Sequence, residues 1–225
     1  MMFDYKLTRS KRRTVALYIR DGGLEVRAPL KMAQCDIDRI IATKEAWIRE
    51  RLAKSQEQSA SRAAFCLNYG DTIIYRDKPY PITVQAGNRA GFNGGCFYMP
   101  PDLTPQQIKS ACVQIYRLLA KRYLSDRTQA LASRLGSAPN AVKINSAKTR
   151  WGSCSTKKNI NFSWRLIMAD DAVIDYVIIH ELAHLSEMNH SARFWRIVES
   201  VLPDYKERKA RLKELQSKLR GEDWD

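Results

Sequence analysis

Hydrophobic and polar residues alternate along "RTVALYIRDGGLEVRAPL". Val15, Leu17 and Ile19 share one face, the chain turns at Asp21-Gly22-Gly23, and Leu24, Val26 and Ala28 resume the period. Period-two patterning around a glycine-rich turn predicts a β-hairpin. The period then changes. In "CDIDRIIATKEAWIRERLAK" the apolar residues Ile37, Ile40, Ile41, Trp47, Ile48 and Leu52 recur at helical spacing, which predicts one helix. "SQEQSASR" reads as a polar linker. "TIIYRDKPYPITVQ" predicts a second hairpin turning near Asp77-Lys78, and a short strand is expected from Cys96 to Met99.

"MPPDLTPQQ" punctuates the chain and places an organisational boundary at residues 99 to 104. Thr104, Pro105 and Gln107 combine a hydroxyl N-cap, a proline at the first helical position and a glutamine at the capping-box position. The helix they open carries Ile108, Ala111, Cys112, Ile115, Leu118 and Leu119 on one face and is expected to run to Gly136. "AVKINS", "TRWGSCS" and "NINFSWRLI" are strand candidates. Asp170 and Asp171 cap "AVIDYVIIHELAHL", a helix apolar nearly all round and therefore expected at the centre of its domain. "EMN" ends it. Ser191 caps another helix through Leu202. Pro203 opens a last, charged helix with a thin stripe of Tyr205, Leu212, Leu215 and Leu219. The pattern is α+β: residues 1–99 form a β-rich region with one helix, and residues 100–225 a second domain.

Composition narrows the class. With 225 residues, 44% hydrophobic and 28% charged, the chain is globular rather than disordered or fibrous. No apolar run approaches the roughly 20 residues that span a bilayer. "MMFDYKLTRSKRR" has no apolar segment after its charges, so a cytoplasmic protein with no membrane partner is expected. Cys35, Cys66, Cys96, Cys112 and Cys154 are widely and irregularly spaced with no C-x-x-C pair, which predicts reduced, mostly buried thiols. The net charge of +14 attracts anions, so nucleotide or nucleic acid enters as a partner class alongside peptide. Its spread along the chain is that of a solvated surface.

The chemistry concentrates in "VIIHELAHLSEMNH", Val177 to His190, which holds all three histidines of the chain. His180 and His184 are four apart, one helical turn above each other on one face, so two imidazoles can bind one cation. Glu181 projects beside the pair and can hold and deprotonate a water. H-E-x-x-H thus supplies two ligands and a general base. A catalytic zinc takes three protein ligands. His190, beyond the expected helix end, is the candidate third, with Glu199 as the alternative. Asn189 is a residue that tolerates the left-handed conformation such a turn calls for. Three neutral nitrogens favour one Zn2+ per chain. Burying His180, Glu181 and His184 unpaired among apolar flanks would cost several kcal/mol, which a cation offsets.

"RWGSCS" (Arg150 to Ser155), "HELAHL", "NHSARFW" (Asn189 to Trp195) and "LPDYKERKARL" together resemble the YgjP-like metallopeptidase-domain family. More distantly they resemble the WLM and SprT-like proteases and the minimal gluzincins. The resemblance implies a zincin-like fold, with a twisted sheet packed on helices, the active helix beneath it and a cleft between. It matches His180, His184 and His190 to the metal ligands and Glu181 to the catalytic glutamate. The metzincin pattern fits less well, because Glu187 stands where those proteins have glycine. The resemblance also implies that an edge strand, "TRWGSCS" or "NINFSWR", pairs with extended substrate. Gly152 permits close backbone approach. Arg150 either stabilises a developing oxyanion or makes a structural ion pair. Trp164, Phe194, Trp195 and Tyr205 are assigned to packing, Cys154 to a buried thiol, and Asp175 to support of the histidines or to the surface.

The leading expectation is a zinc metallopeptidase-like hydrolase, HExxH-x5-H, with Glu181 as general base. A second keeps the metal and hydrolyses a nucleotide or phosphate ester, although no phosphate-cradling loop is present. A third is a basic nucleic-acid-associated binding protein with a structural metal, for which an intact Glu181 serves no purpose.

Overall fold

The computed structural model describes residues 3–20 and 22–224. They form two compact units: one runs to Phe65 and includes Arg220–Asp223, and the other comprises Cys66–Leu219 and Trp224. Residues 99 to 104, where the sequence changes character, lie inside the second unit.

In the first unit, β1 (Tyr5–Ser10), β2 (Ala16–Arg20) and β3 (Gly23–Pro29) form a sheet ordered β1-β3-β2. β2 and β3 are the expected antiparallel hairpin. Gly22 has a φ of 74°, and Asp21 lies outside the described residues. β1 pairs with β3 in parallel and was masked in the pattern by its interspersed charges. Leu24, Val26 and Ala28 alternate inward and join Ile37, Ile41 and Ile48 in one core. The single expected helix is two, α1 (Gln34–Thr43) and α2 (Glu45–Ala64). The chain leaves helical geometry at Lys44, whose N–H donates to Ile41 O at 3.0 Å. That break lets both helices turn isoleucines into the same core. α2 also runs through "SQEQSASR", so this segment is helix, not linker. Its Gln, Glu, Ala and Arg residues favour helix, and Arg62 Nε donates to Arg220 O at 2.7 Å near the helix end.

The second unit opens with β4 (Thr72–Tyr75), β5 (Lys78–Val84), β6 (Gly91–Phe92) and β7 (Phe97–Met99), ordered β4-β5-β7-β6. The β4–β5 turn is Arg76-Asp77, one position earlier than expected, with φ of 50° and 61°. Two positive φ values suit the right-handed twist of a two-residue hairpin. Tertiary bonds hold these non-glycine residues there: Arg76 N–H donates to Ile167 O at 2.9 Å and Asp77 N–H to Met168 O at 3.2 Å.

α3 (Pro105–Leu135) begins with the expected capping box on Thr104 and Gln107 and ends on Gly136 at φ 63°. Its buried stripe runs through Ile108, Cys112, Ile115, Tyr116, Ala120 and Leu124. Leu118, assigned to that stripe by sequence, is 69% exposed, because two residues past Tyr116 is the opposite side of a helix. β8 (Ala141–Asn145), β9 (Gly152–Cys154) and β10 (Asn159–Ser163) form a sheet ordered β8-β10-β9. β10 is parallel to β8 and antiparallel to β9. "WRLI" does not extend β10 but forms a 3-10 helix, Trp164–Met168. Trp164 stacks on Tyr116 with centroids 5.5 Å apart, and Trp224 meets both edge-on.

α4 (Asp171–Ala183) is buried nearly all round, as its composition requires. Asp170 caps it, accepting from Val173 N–H at 3.0 Å. α5 (Ala192–Val201), α6 (Tyr205–Leu219), α3 and β9 pack around α4. All five cysteines are free, but only Cys112 is buried; Cys35 and Cys66 are exposed, contrary to expectation. Both lie at ends of elements, where apolar character does not ensure burial. Among the described residues, no helix is long and apolar enough to cross a membrane.

Candidate active site

α4 carries His180 and Glu181, and His184 is its C-cap residue. The helix ends at Ala183, before "EMN", and a turn follows. In it Glu187 N–H bonds Ala183 O at 3.0 Å, and Glu187 O meets His184 Nδ1 at 2.9 Å. A carbonyl only accepts, so His184 donates from Nδ1 and keeps the Nε2 lone pair free. Asn189 is not among the positive-φ residues, so the expected left-handed step does not occur. Its side-chain oxygen accepts from Ser191 N–H at 3.1 Å instead. Ser191 then caps α5 through Phe194 N–H. His190 is thereby held between two anchored elements.

The turn brings His190 back onto α4. His190 Nε2 lies 3.0 Å from His180 Nε2. One donor atom from each of His180, His184 and His190 falls within 4.8 Å of the others. Glu199 and Cys154 are not part of this group. A tetrahedral zinc with Zn–N of about 2.0–2.1 Å spaces its nitrogens about 3.3–3.4 Å apart, so the arrangement fits a divalent cation. Burial, followed by the neighbouring His184 and His190, pushes His180 down to about 3; burial likewise lowers His190. Both rings are therefore neutral near pH 7 with lone pairs to donate. Two such lone pairs 3.0 Å apart repel unless a proton or a cation lies between them.

Glu181 is 5% exposed, and its Oε2 has no hydrogen-bond partner among the described residues. Burial pushes its carboxyl up to about 7, against the charge of Arg150. A buried orphan oxygen is costly unless something present in the working state binds it. β9 crosses directly over this carboxyl. A Cβ placed on Gly152 would sit 2.6 Å from both Glu181 Cγ and Oε1. The glycine of "RWGSCS" is thus required by the glutamate, a contact that sequence reasoning assigned only to general backbone approach. Arg150, two residues away, is exposed and has no ion pair among the described residues.

Aromatic rings back the imidazoles. Phe194 is fully buried, with its centroid 4.9, 4.5 and 4.8 Å from those of His180, His184 and His190. Trp195 stacks on His190 and on Tyr205. The packing role expected for Phe194 and Trp195 holds, but what they pack is the histidine trio; only their position four and five residues past His190 hinted at this. Asp175 faces away from the histidines. Arg127 grips it with two bonds of 2.7 Å, tying α4 to α3. Cys154 is half-buried on β9, its thiol raised by burial and then by Glu181.

A cavity of about 460 Å³ opens beside the histidines, between α4, β9 and α6. Trp151, Gly152, His180 and Glu181 line one side. β9 is an edge strand of its sheet, whereas β10 is central, so of the two strands expected to meet substrate only β9 has an unpaired edge.

Part of the chain is similar to solved structures. The zymogen of the metallopeptidase abylysin from Pyrococcus abyssi is 30% identical, covering 40% of this chain and 92% of that one, with a TM-score of 0.38. The zymogen of jannalysin from Methanocaldococcus jannaschii is 20% identical, covering 40% and 94%, with a TM-score of 0.37. No curated protein sequence matches. The profile of the YgjP-like metallopeptidase domain matches residues 13–215, nearly the whole chain. The chain carrying this histidine trio belongs to the YgjP-like metallopeptidase-domain family.

Proposed function

We propose that this protein is a zinc-dependent peptidase in which His180, His184 and His190 hold one Zn2+ and Glu181 is the general base. The supporting observation is the convergence of three imidazoles beside a buried carboxyl group that lacks a partner among the described residues. Nitrogen-only donors favour zinc. Bound there, the cation supplies Lewis acidity, polarising a carbonyl and making water nucleophilic near neutral pH. Glu181 takes the water proton and returns it to the leaving nitrogen. Gly152 keeps that carboxylate in place, and the Glu187 carbonyl sets the tautomer of His184. The free edge of β9 pairs with an extended peptide. Arg150, next to that strand, steadies the charge developing on the carbonyl oxygen. In this reading residues 100–225 carry the hydrolase chemistry, and the β-rich residues 1–99 are accessory to it.

The test is metal analysis with cleavage of casein-like peptides by wild type and Glu181→Gln. About one zinc per chain is expected in both, with cleavage lowered by about 10²–10⁴-fold in the variant. Equal cleavage by the two proteins removes Glu181 from the mechanism. Turnover of nucleoside triphosphates in place of peptides overturns the substrate assignment.

A further inference from the structure

The cavity beside His180 and Glu181 has an unusual second wall. α6 contributes Lys209, Leu212, Lys213 and Gln216 to it. These positions are i, i+3, i+4 and i+7, one face of a helix. A helix packed on the apolar α4 for structure alone would turn leucines to this face. Here two of the four side chains are ammonium groups. The opposite wall, with Tyr176 and Val177, offers no anion to them. The one carboxyl group in the lining is Glu181, which is buried and committed to the site.

The two arginines of α6 are paired with carboxylates and these two lysines are not. Arg208 pairs with Asp204 at 2.9 Å and donates to Ala172 O, and Arg211 pairs with Asp170 at 2.7 Å. Lys209 and Lys213 have no carboxylate partner among the described residues. Lys209 lies instead over the Trp195 ring, 5.1 Å from its centroid. That contact holds its charge near the histidines, close enough to act on His180 and His190. Both lysines are solvent-exposed where they line the cavity, and two unpaired ammonium groups side by side on one wall attract an anion.

We infer that this wall is a carboxylate-recognising subsite, and that the substrates are peptides carrying a carboxylate close to the bond that is cut. The inference rests on the peptidase reading and deepens it. The carboxylate belongs either to an acidic side chain or to the peptide's own C-terminus. A lysine pair acts as point charges without the fixed fork of arginine, so it accepts either source. The apolar Tyr176, Val177 and Leu212 receive the carbon atoms beside the charge.

The test uses zinc-loaded protein and peptides that differ at one position, Glu, Ala or Lys, each with a free or an amidated C-terminus. Wild type should cut the Glu peptide over the Lys peptide by about tenfold or more in kcat/KM, mostly through KM, and less so at high salt. Lys209→Glu with Lys213→Glu should reverse that order. If amidation slows the Glu, Ala and Lys peptides alike, the terminal carboxylate is the group recognised; if a Glu preference persists after amidation, the side chain is. Equal rates across the series, or an order unchanged in the double variant, overturn the subsite. Binding is read separately from tryptophan fluorescence on Glu181→Gln, since Trp151 lines the cavity. Discrimination in binding without cleavage by wild type sinks the peptidase reading and leaves the subsite standing. Cleavage without discrimination does the reverse.

Discussion

Gly152 and Glu181 are 29 positions apart in sequence and in contact in space. With 2.6 Å from a Cβ to Glu181 Oε1, Gly152→Ala must displace either the strand or the carboxylate. Displacing a catalytic group by about 1 Å costs on the order of 10²-fold in rate. We expect that loss in kcat with zinc content unchanged. In a Glu181→Gln background the same substitution should cost little more, because the base is already gone; a full second loss would show that Gly152 acts elsewhere. The neighbourhood of His180, Glu181 and His184 was legible in the sequence because helical spacing alone places them. Their aromatic backing and the glycine over the carboxyl were not. Those contacts come from β9 and α5, and no local period encodes which face of a neighbouring element meets α4.

Two ion pairs hold α4 in place. Arg127 grips Asp175 with two 2.7 Å bonds, and Arg76 grips Asp171, which also accepts from Tyr123 at 2.8 Å. Asp175 has a side chain only 14% exposed, so Arg127→Ala leaves a half-buried charge alone and should lower unfolding free energy by about 1–3 kcal/mol in urea denaturation. The hydrogen bonds from Arg76 hold Asp171 below the usual carboxylate range. A depressed carboxylate stabilises the fold above its unfolded-state pKa of about 3.9, and that contribution is lost as pH falls through the folded value. Thermal melts taken from neutral pH downwards should lose less stability in Asp171→Asn than in wild type. Parallel acid slopes would mean that the pair carries none of the acid sensitivity. The capped α3 matches its sequence-derived extent, whereas the apolar α4 ends at Ala183, two residues short of the expected run to Leu185. The bend at Lys44 and the 3-10 helix after β10 depart from expectation because each is set by what the segment packs against, and "SQEQSASR" departs because a polar segment can be exposed helix as well as linker.

At the scale of the whole protein, the site is built from one helix, one turn and one strand of the second unit, whose three histidines could hold a cation. Chelation should abolish peptide cleavage and lower the melting temperature, and zinc should restore both, because a ligand bound only by the folded state stabilises it. Unchanged melting after complete metal removal would argue against three converging ligands. The sequence by itself determined the α+β class and placed His180, Glu181 and His184 in one helical register, because those follow from periodicity. Only the tertiary structure decided that His190 rather than Glu199 joins the pair, that β9 lies over the carboxyl, and that α6 turns lysines into the cavity. Each of these depends on the direction the chain takes after a turn, and that direction is set by packing between segments far apart in sequence.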